Sequence, residues 1–82
     1  MSQAVSNKTP DFVLDVCGEH CPMPLLKTKL QLNKMVKGQT LKVLATDPGT
    51  ERDFKSFIAL SGHALETVSG EDGGFIYYIE KA

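Results

Sequence analysis

The sequence predicts an α/β (α+β) fold of order βαβαββ: a two-layer sandwich with two helices on one face of a four-stranded mixed sheet. Three observations predict it. The spacing of apolar residues switches between the period of a strand and that of a helix along the chain. A glycine or proline stands at nearly every switch, where the backbone must turn. The 82 residues leave room for one core, and Leu, Val, Ile and Phe supply 22 of them, enough to fold it.

Residues 1–10 are polar, close on Thr9-Pro10 and read as a flexible tail, leaving residues 11–82 as a single domain. Phe12-Val13-Leu14-Asp15-Val16, stopped by Cys17-Gly18, reads as a short, partly buried strand. After Pro24 the period becomes helical: Leu25, Leu32 and Val36 share a face with Leu26 at its edge, and Gly38 supplies the stop. Thr40 to Thr46 alternates as a strand, with Leu41, Val43 and Ala45 on one side. Asp47-Pro48-Gly49 ends it, and Thr50-x-x-Asp53 resembles a capping box. Phe54, Phe57, Ile58 and Ser61 then form a helical stripe that ends at Gly62, with Phe57 expected in the core. Ala64 to Val68 and Phe75 to Glu80 are β-prone and joined by the glycine-rich Ser69 to Gly74, a hairpin connection. A βαβ crossover makes the first two strands parallel and the closing hairpin antiparallel. Lys42, Thr46, Glu66 and Glu80 alternate with apolar residues, so the helix-free face is expected to be wet.

The net charge of −1 excludes a protein that is cationic as a whole, and no direct nucleic-acid contact is expected. The charge is uneven: Lys27, Lys29, Lys34, Lys37 and Lys42 fall between Pro22 and Thr46 with no acid among them. Lys27, Lys34 and Lys37 on one side of the first helix are candidates for docking an acidic partner; a solvated helix flank is the other reading. No run approaches the roughly 18 apolar residues of a membrane span, and the first ten residues lack the pattern of a signal peptide. A cytoplasmic protein is expected, in which two cysteines are thiols rather than a structural disulfide.

The chemistry concentrates in Cys17-Gly18-Glu19-His20-Cys21-Pro22-Met23-Pro24, a strand-to-helix loop. Proline is favoured at the first helical position, so Pro22 there makes Cys21 the expected N-cap, with the Met23 amide as donor to its sulfur. A helix start stabilises thiolate over thiol, and thiolate is the form that attacks sulfur. A buried, inert thiol is the ordinary fate of a free cysteine; the two prolines and the loop position favour a reactive Cys21. Cys17, at a strand end, reads as inert or as a second thiol in a redox pair with Cys21. His20 and His63 read as a solvated loop residue and a polar strand-entry residue. C-x3-C with a histidine 42 residues beyond fits no usual zinc spacing, so no metal is expected. A phosphate loop, a Ser/His/Asp set and an aromatic RNA-binding motif are all missing.

The run Leu14-Asp15-Val16-Cys17-Gly18-Glu19-His20-Cys21-Pro22-Met23-Pro24 resembles the L-D-x-x-G-x-x-C-P-x-P mark of the TusA/SirA/YedF-type sulfur carriers. The similarity continues through Leu25-Leu26-Lys27, Val43 to Gly49, Asp53 and Ser61-Gly62-His63, over roughly Phe12 to Lys81. It implies a βαβαββ sandwich in which Cys21 carries a persulfide as a transient intermediate, with Asp15, Gly18, Pro22, Met23 and Pro24 as the supporting motif. It also implies a donor protein, a cysteine desulfurase or rhodanese, and an acceptor protein, in tRNA thiolation or other sulfur trafficking. No pyridoxal-binding motif is present, so no cofactor of its own is expected. Two positions depart from the pattern: Cys17 is a thiol where many relatives carry Arg, and Glu19 replaces an apolar residue and is expected to disfavour the thiolate or select the partner. The competing functions are a Cys17/Cys21 dithiol switch and a regulatory binding module.

Overall fold

The computed structural model describes residues 9–69 and 74–82, so the expected hairpin connection at 70–73 and residues 1–8 of the expected tail lie outside it. The order is β1 (Phe12–Asp15), α1 (Met23–Asn33), β2 (Thr40–Ala45), α2 (Gly49–Ser61), β3 (Ala64–Ser69) and β4 (Phe75–Glu80). The sheet runs β1-β2-β4-β3. β1 is parallel to β2, and β4 is antiparallel to both β2 and β3.

Register decides which face each residue takes. Leu14 pairs with Val43, Val43 with Tyr77 and Tyr77 with Thr67, a row on the helix side. One residue along, Val13, Lys42, Tyr78 and Glu66 form the row on the opposite side. The core is built on the first face: Val16, Leu41, Val43, Ala45, Tyr77 and Ile79 from the sheet and its extension, Leu32 from α1, Met35 just beyond it, and Phe54 from α2. The Phe54 and Tyr77 rings meet at 4.7 Å between centroids with a 58° tilt. Burying a ring of that size contributes roughly 1.5–3 kcal/mol and holds α2 to the sheet.

Several expectations shift here. α1 buries Pro24, Thr28 and Leu32, while Leu26 and Val36 are exposed. A threonine in the stripe displaces the apolar pattern, and Val36 lies past the helix. α1 ends at Asn33 rather than running to Gly38: the Lys34 and Met35 N–H groups donate to the Gln31 and Leu32 carbonyls at 3.0 Å in a tightened last turn, and the Lys81 ammonium also donates to the Leu32 carbonyl at 2.8 Å. α2 ends as expected, on Gly62 in the left-handed region (φ 82°). Phe57 is half-buried beside the core, and Phe54 is the ring with no exposure. The helix-free face is not uniformly polar: Val13, Leu44, Ile76, Tyr78 and Val68 share it with Lys42, Glu66 and Glu80. Thr46 lies beyond the strand and serves the loop described next.

Candidate functional site

Because β1 and β2 are parallel neighbours, both chain exits lie at one end of the sheet, and the β1–α1 and β2–α2 loops meet there. The fully buried Val16 anchors the first loop, its N–H donating to the Leu44 carbonyl at 2.8 Å. The Cys17 N–H then donates to the Asp15 carboxylate at 2.9 Å, and the Glu19 N–H closes a turn on the Val16 carbonyl at 3.1 Å. Gly18 stands at φ 82°, a conformation that costs other residues, and its N–H donates to the Thr46 hydroxyl at 2.8 Å. Three residues on, the Cys21 N–H donates to the Asp47 carboxylate at 2.7 Å. The Cys21 thiol donates to the Asp53 carboxylate of α2. Asp47 also accepts from the Gly49 N–H at 3.4 Å, tying the second loop to the start of α2.

Cys21 is not the N-cap of α1. Pro22 occupies that position, Met23 is the first helical residue, and no side chain caps the helix. The Met23 N–H, expected to serve the sulfur, donates instead to the His20 carbonyl at 2.9 Å, and the first helical bond runs from Leu26 N–H to the Pro22 carbonyl at 3.0 Å. The turn closed by His20 holds Cys21 outside the helix. The capping box at Thr50 and Asp53 does not form either: α2 has no side-chain cap, Thr50 is buried and Asp53 is engaged by the thiol.

These contacts reverse the expected electrostatics. The Cys21 thiol is pushed above its ordinary value by the hydrogen bond to Asp53 first, then by burial and by the charges of Asp53 and Asp47, with Arg52 acting the other way. The proton is therefore held more firmly than on a free cysteine. Glu19, expected to be the acid acting on the loop, is ion-paired with Lys27. Asp15 behaves oppositely to Cys21: hydrogen bonds from Cys17, the backbone first and the side chain second, hold its carboxyl below 3.8. Neither cysteine is in a disulfide, and both are exposed.

The structure gathers Asp15, Cys17, Gly18, Cys21 and Pro22 at one end of the sheet, with Met23 exposed beside them and Pro24 buried in the first turn of α1. The lysines do not form one patch with them. Lys27 is in the Glu19 pair, whereas Lys34 and Lys37 lie past the far end of α1, which at about 1.5 Å per residue puts them more than ~15 Å along the axis from Cys21. His63 is removed from the site: its Nδ1 accepts from the Ala82 N–H at 2.9 Å and its ring meets Phe57. Sequence reasoning missed Thr46, Asp47 and the contact of Asp53 with sulfur. The signal was available in the parallel pairing of the first two strands, which obliges the second loop to lie beside the first. Among the described residues no three His, Cys, Asp or Glu side chains group to hold a metal ion. No described helix is long and apolar enough to cross a membrane.

The βαβαββ domain presents two thiols, Cys17 and Cys21, at the surface on a loop stapled from a neighbouring loop. The family model described as Sulfurtransferase TusA matches residues 12–81, and the chain belongs to that family. The sulfur carrier protein TusA of Pseudomonas savastanoi pv. phaseolicola is 40% identical over 81 residues, covering 99% of this chain and 96% of that protein. A longer protein of Aquifex aeolicus is 46% identical over 78 residues, 95% of this chain, and the chain spans 40% of its length. The crystal structure of a SirA-like protein from Desulfitobacterium hafniense has the same fold, with a TM-score of 0.78 at 20% identity over 84% of this chain and 95% of that one.

Proposed function

We propose that the chain is a sulfur carrier in which Cys21 takes the outer sulfur of a donor persulfide and presents it to an acceptor cysteine. The observation that carries this reading is the placement of Cys21: an exposed free thiol whose backbone and side chain are gripped by Asp47 and Asp53 from the neighbouring loop and helix. A rigid, surface-held thiol is reachable by the cysteine of another protein, which a buried one is not. In loading, the Cys21 sulfur bonds to the outer sulfur of the donor persulfide and the donor's S–S bond breaks. The donor's inner sulfur leaves with the electron pair and takes up a proton, so no oxidant or reductant is consumed. Delivery repeats the exchange with the acceptor's thiolate as nucleophile and Cys21 as leaving group.

The chain uses no cofactor in this scheme; the persulfide on Cys21 is its only intermediate. The donor is a cysteine desulfurase or rhodanese-like protein, the acceptor a protein of tRNA thiolation or another sulfur-trafficking route, and the setting cytoplasmic, where a carrier thiol stays reduced. Incubation with a cysteine desulfurase and cysteine should add about 32 Da to the intact mass, removable by reductant. Cys21→Ser should abolish the gain and Cys17→Ser should keep it. Equal loss in both variants, each folded by circular dichroism, would replace the carrier with the dithiol switch.

A further inference from the structure

We propose that Asp53 holds the Cys21 thiol protonated in the empty carrier and so sets the pH at which Cys21 becomes a nucleophile; this rests on the sulfur-carrier reading. Asp53 is one turn into α2, and helices ordinarily use an acid near their start to satisfy their own N–H groups. Here the helix has no side-chain cap, and the carboxylate reaches across to the other loop to accept the thiol hydrogen. Asp47 grips the Cys21 N–H from the same segment, so the sulfur is held against Asp53 by the backbone as well as by its own hydrogen bond. Removing the thiol proton would set two anions in contact, which disfavours the thiolate. The charged groups facing the sulfur are Asp53 and Arg52 of α2 and Asp47 of the β2–α2 loop; its own loop carries His20 and the Glu19 paired with Lys27. The hydrogen bond to Asp53 first, then desolvation and the charges of both acids, raise the thiol's pKa, and Arg52 opposes them.

The contact distinguishes the empty carrier from the loaded one. An empty Cys21 sulfur bears the hydrogen that Asp53 accepts. Once that sulfur is bonded to a second, it bears none, and the hydrogen bond from it is gone. During loading the proton passes from Cys21 to the departing donor thiolate, which balances the exchange. The empty carrier is thus the guarded state, less reactive toward adventitious disulfides and oxidants than a free thiol because the thiolate is disfavoured.

The test is the pH profile of iodoacetamide alkylation of Cys21, followed by mass on the folded Cys17→Ser chain so that one thiol reports. Its midpoint should lie above that of free cysteine. Asp53→Asn, nearly the same shape without the charge, should move the midpoint to lower pH and speed alkylation several-fold at neutral pH; Asp53→Glu should restore the parent profile. Arg52→Gln should move it to higher pH, an opposite shift that general loosening of the loop would not produce. An unmoved or raised midpoint in Asp53→Asn, or a lowered one in Arg52→Gln, would overturn the role given to Asp53. The same samples tested for sulfur loading keep the two claims apart: a shifted profile without any mass gain would fail the carrier reading alone, and a mass gain with an unshifted profile would fail the Asp53 proposal alone.

Discussion

Cys17 and Cys21 stand four residues apart in one loop, both exposed, yet they are held in different ways. Cys17 is tied to Asp15, two residues back, so its surroundings are a local turn at the end of β1. Cys21 is tied to Asp47 and Asp53, 26 and 32 residues away in sequence. The contact of Cys17 with Asp15 spans two residues of one segment; those of Cys21 exist only once β2 and α2 have packed beside it. A thiol held from a distance has a defined position relative to the whole domain, which a partner protein can dock against, and this separates Cys21 from Cys17.

The comparison breaks most visibly if α2 is released. Phe54→Ala removes a fully buried ring against Tyr77 and should cost roughly 3–5 kcal/mol, much of the ~5–15 kcal/mol a domain has in hand. Phe57→Ala, at a half-buried position beside Lys29 and His63, should cost about half as much or less. Urea unfolding midpoints check both, and equal costs would contradict the assignment of Phe54 as the ring that anchors the helix. Cys21, not Cys17, should lose its protected pH profile as Phe54→Ala loosens the helix.

A smaller effect sharpens the same contrast. Asp47→Ala removes the acceptor of the Cys21 N–H and one of the charges that raise its thiol; it should cost about 1 kcal/mol and move Cys21 alkylation to lower pH. Asp15→Ala should leave the Cys21 profile in place, because its carboxylate accepts from Cys17 and is not among the charges that act on the Cys21 thiol. The smallest expected effect lies at the other end of the molecule. His63 accepts the Ala82 N–H and is held below 6.5 by burial first and Lys81 second, so its neutral form is the one the fold favours. Its contribution is present above the unfolded value and lost as pH falls through the folded one. Stability measured from pH 7 to pH 5 should therefore decline, less steeply in His63→Gln, with Cys21 alkylation untouched.

The order of elements was legible because each change of period is marked by proline or glycine, from Asp47-Pro48-Gly49 to Gly62, and the parallel and antiparallel pairings follow from it. The helix boundaries were less so. Thr28 is buried in α1 although the stripe read from Leu25, Leu32 and Val36 did not include it, and the contact of Lys81 on Leu32 is 49 residues away in sequence. Cys21 and its motif stood out in the loop, but the electrostatics came out with the wrong sign. The sequence displays the nearby helix start; the carboxylates of Asp47 and Asp53 arrive only through the pairing of β1 with β2.

The central claim, that one of two neighbouring thiols carries the sulfur, is tested most directly by locating the added mass. After loading by a cysteine desulfurase and alkylation to block the persulfide, cleavage on the C-terminal side of Glu19 places Cys17 and Cys21 on separate peptides. The account predicts the extra sulfur, about 32 Da, on the peptide that begins at His20 and contains Cys21, with Cys17 alkylated as a plain thiol. Extra sulfur on the Cys17 peptide, or divided equally between the two, would contradict it.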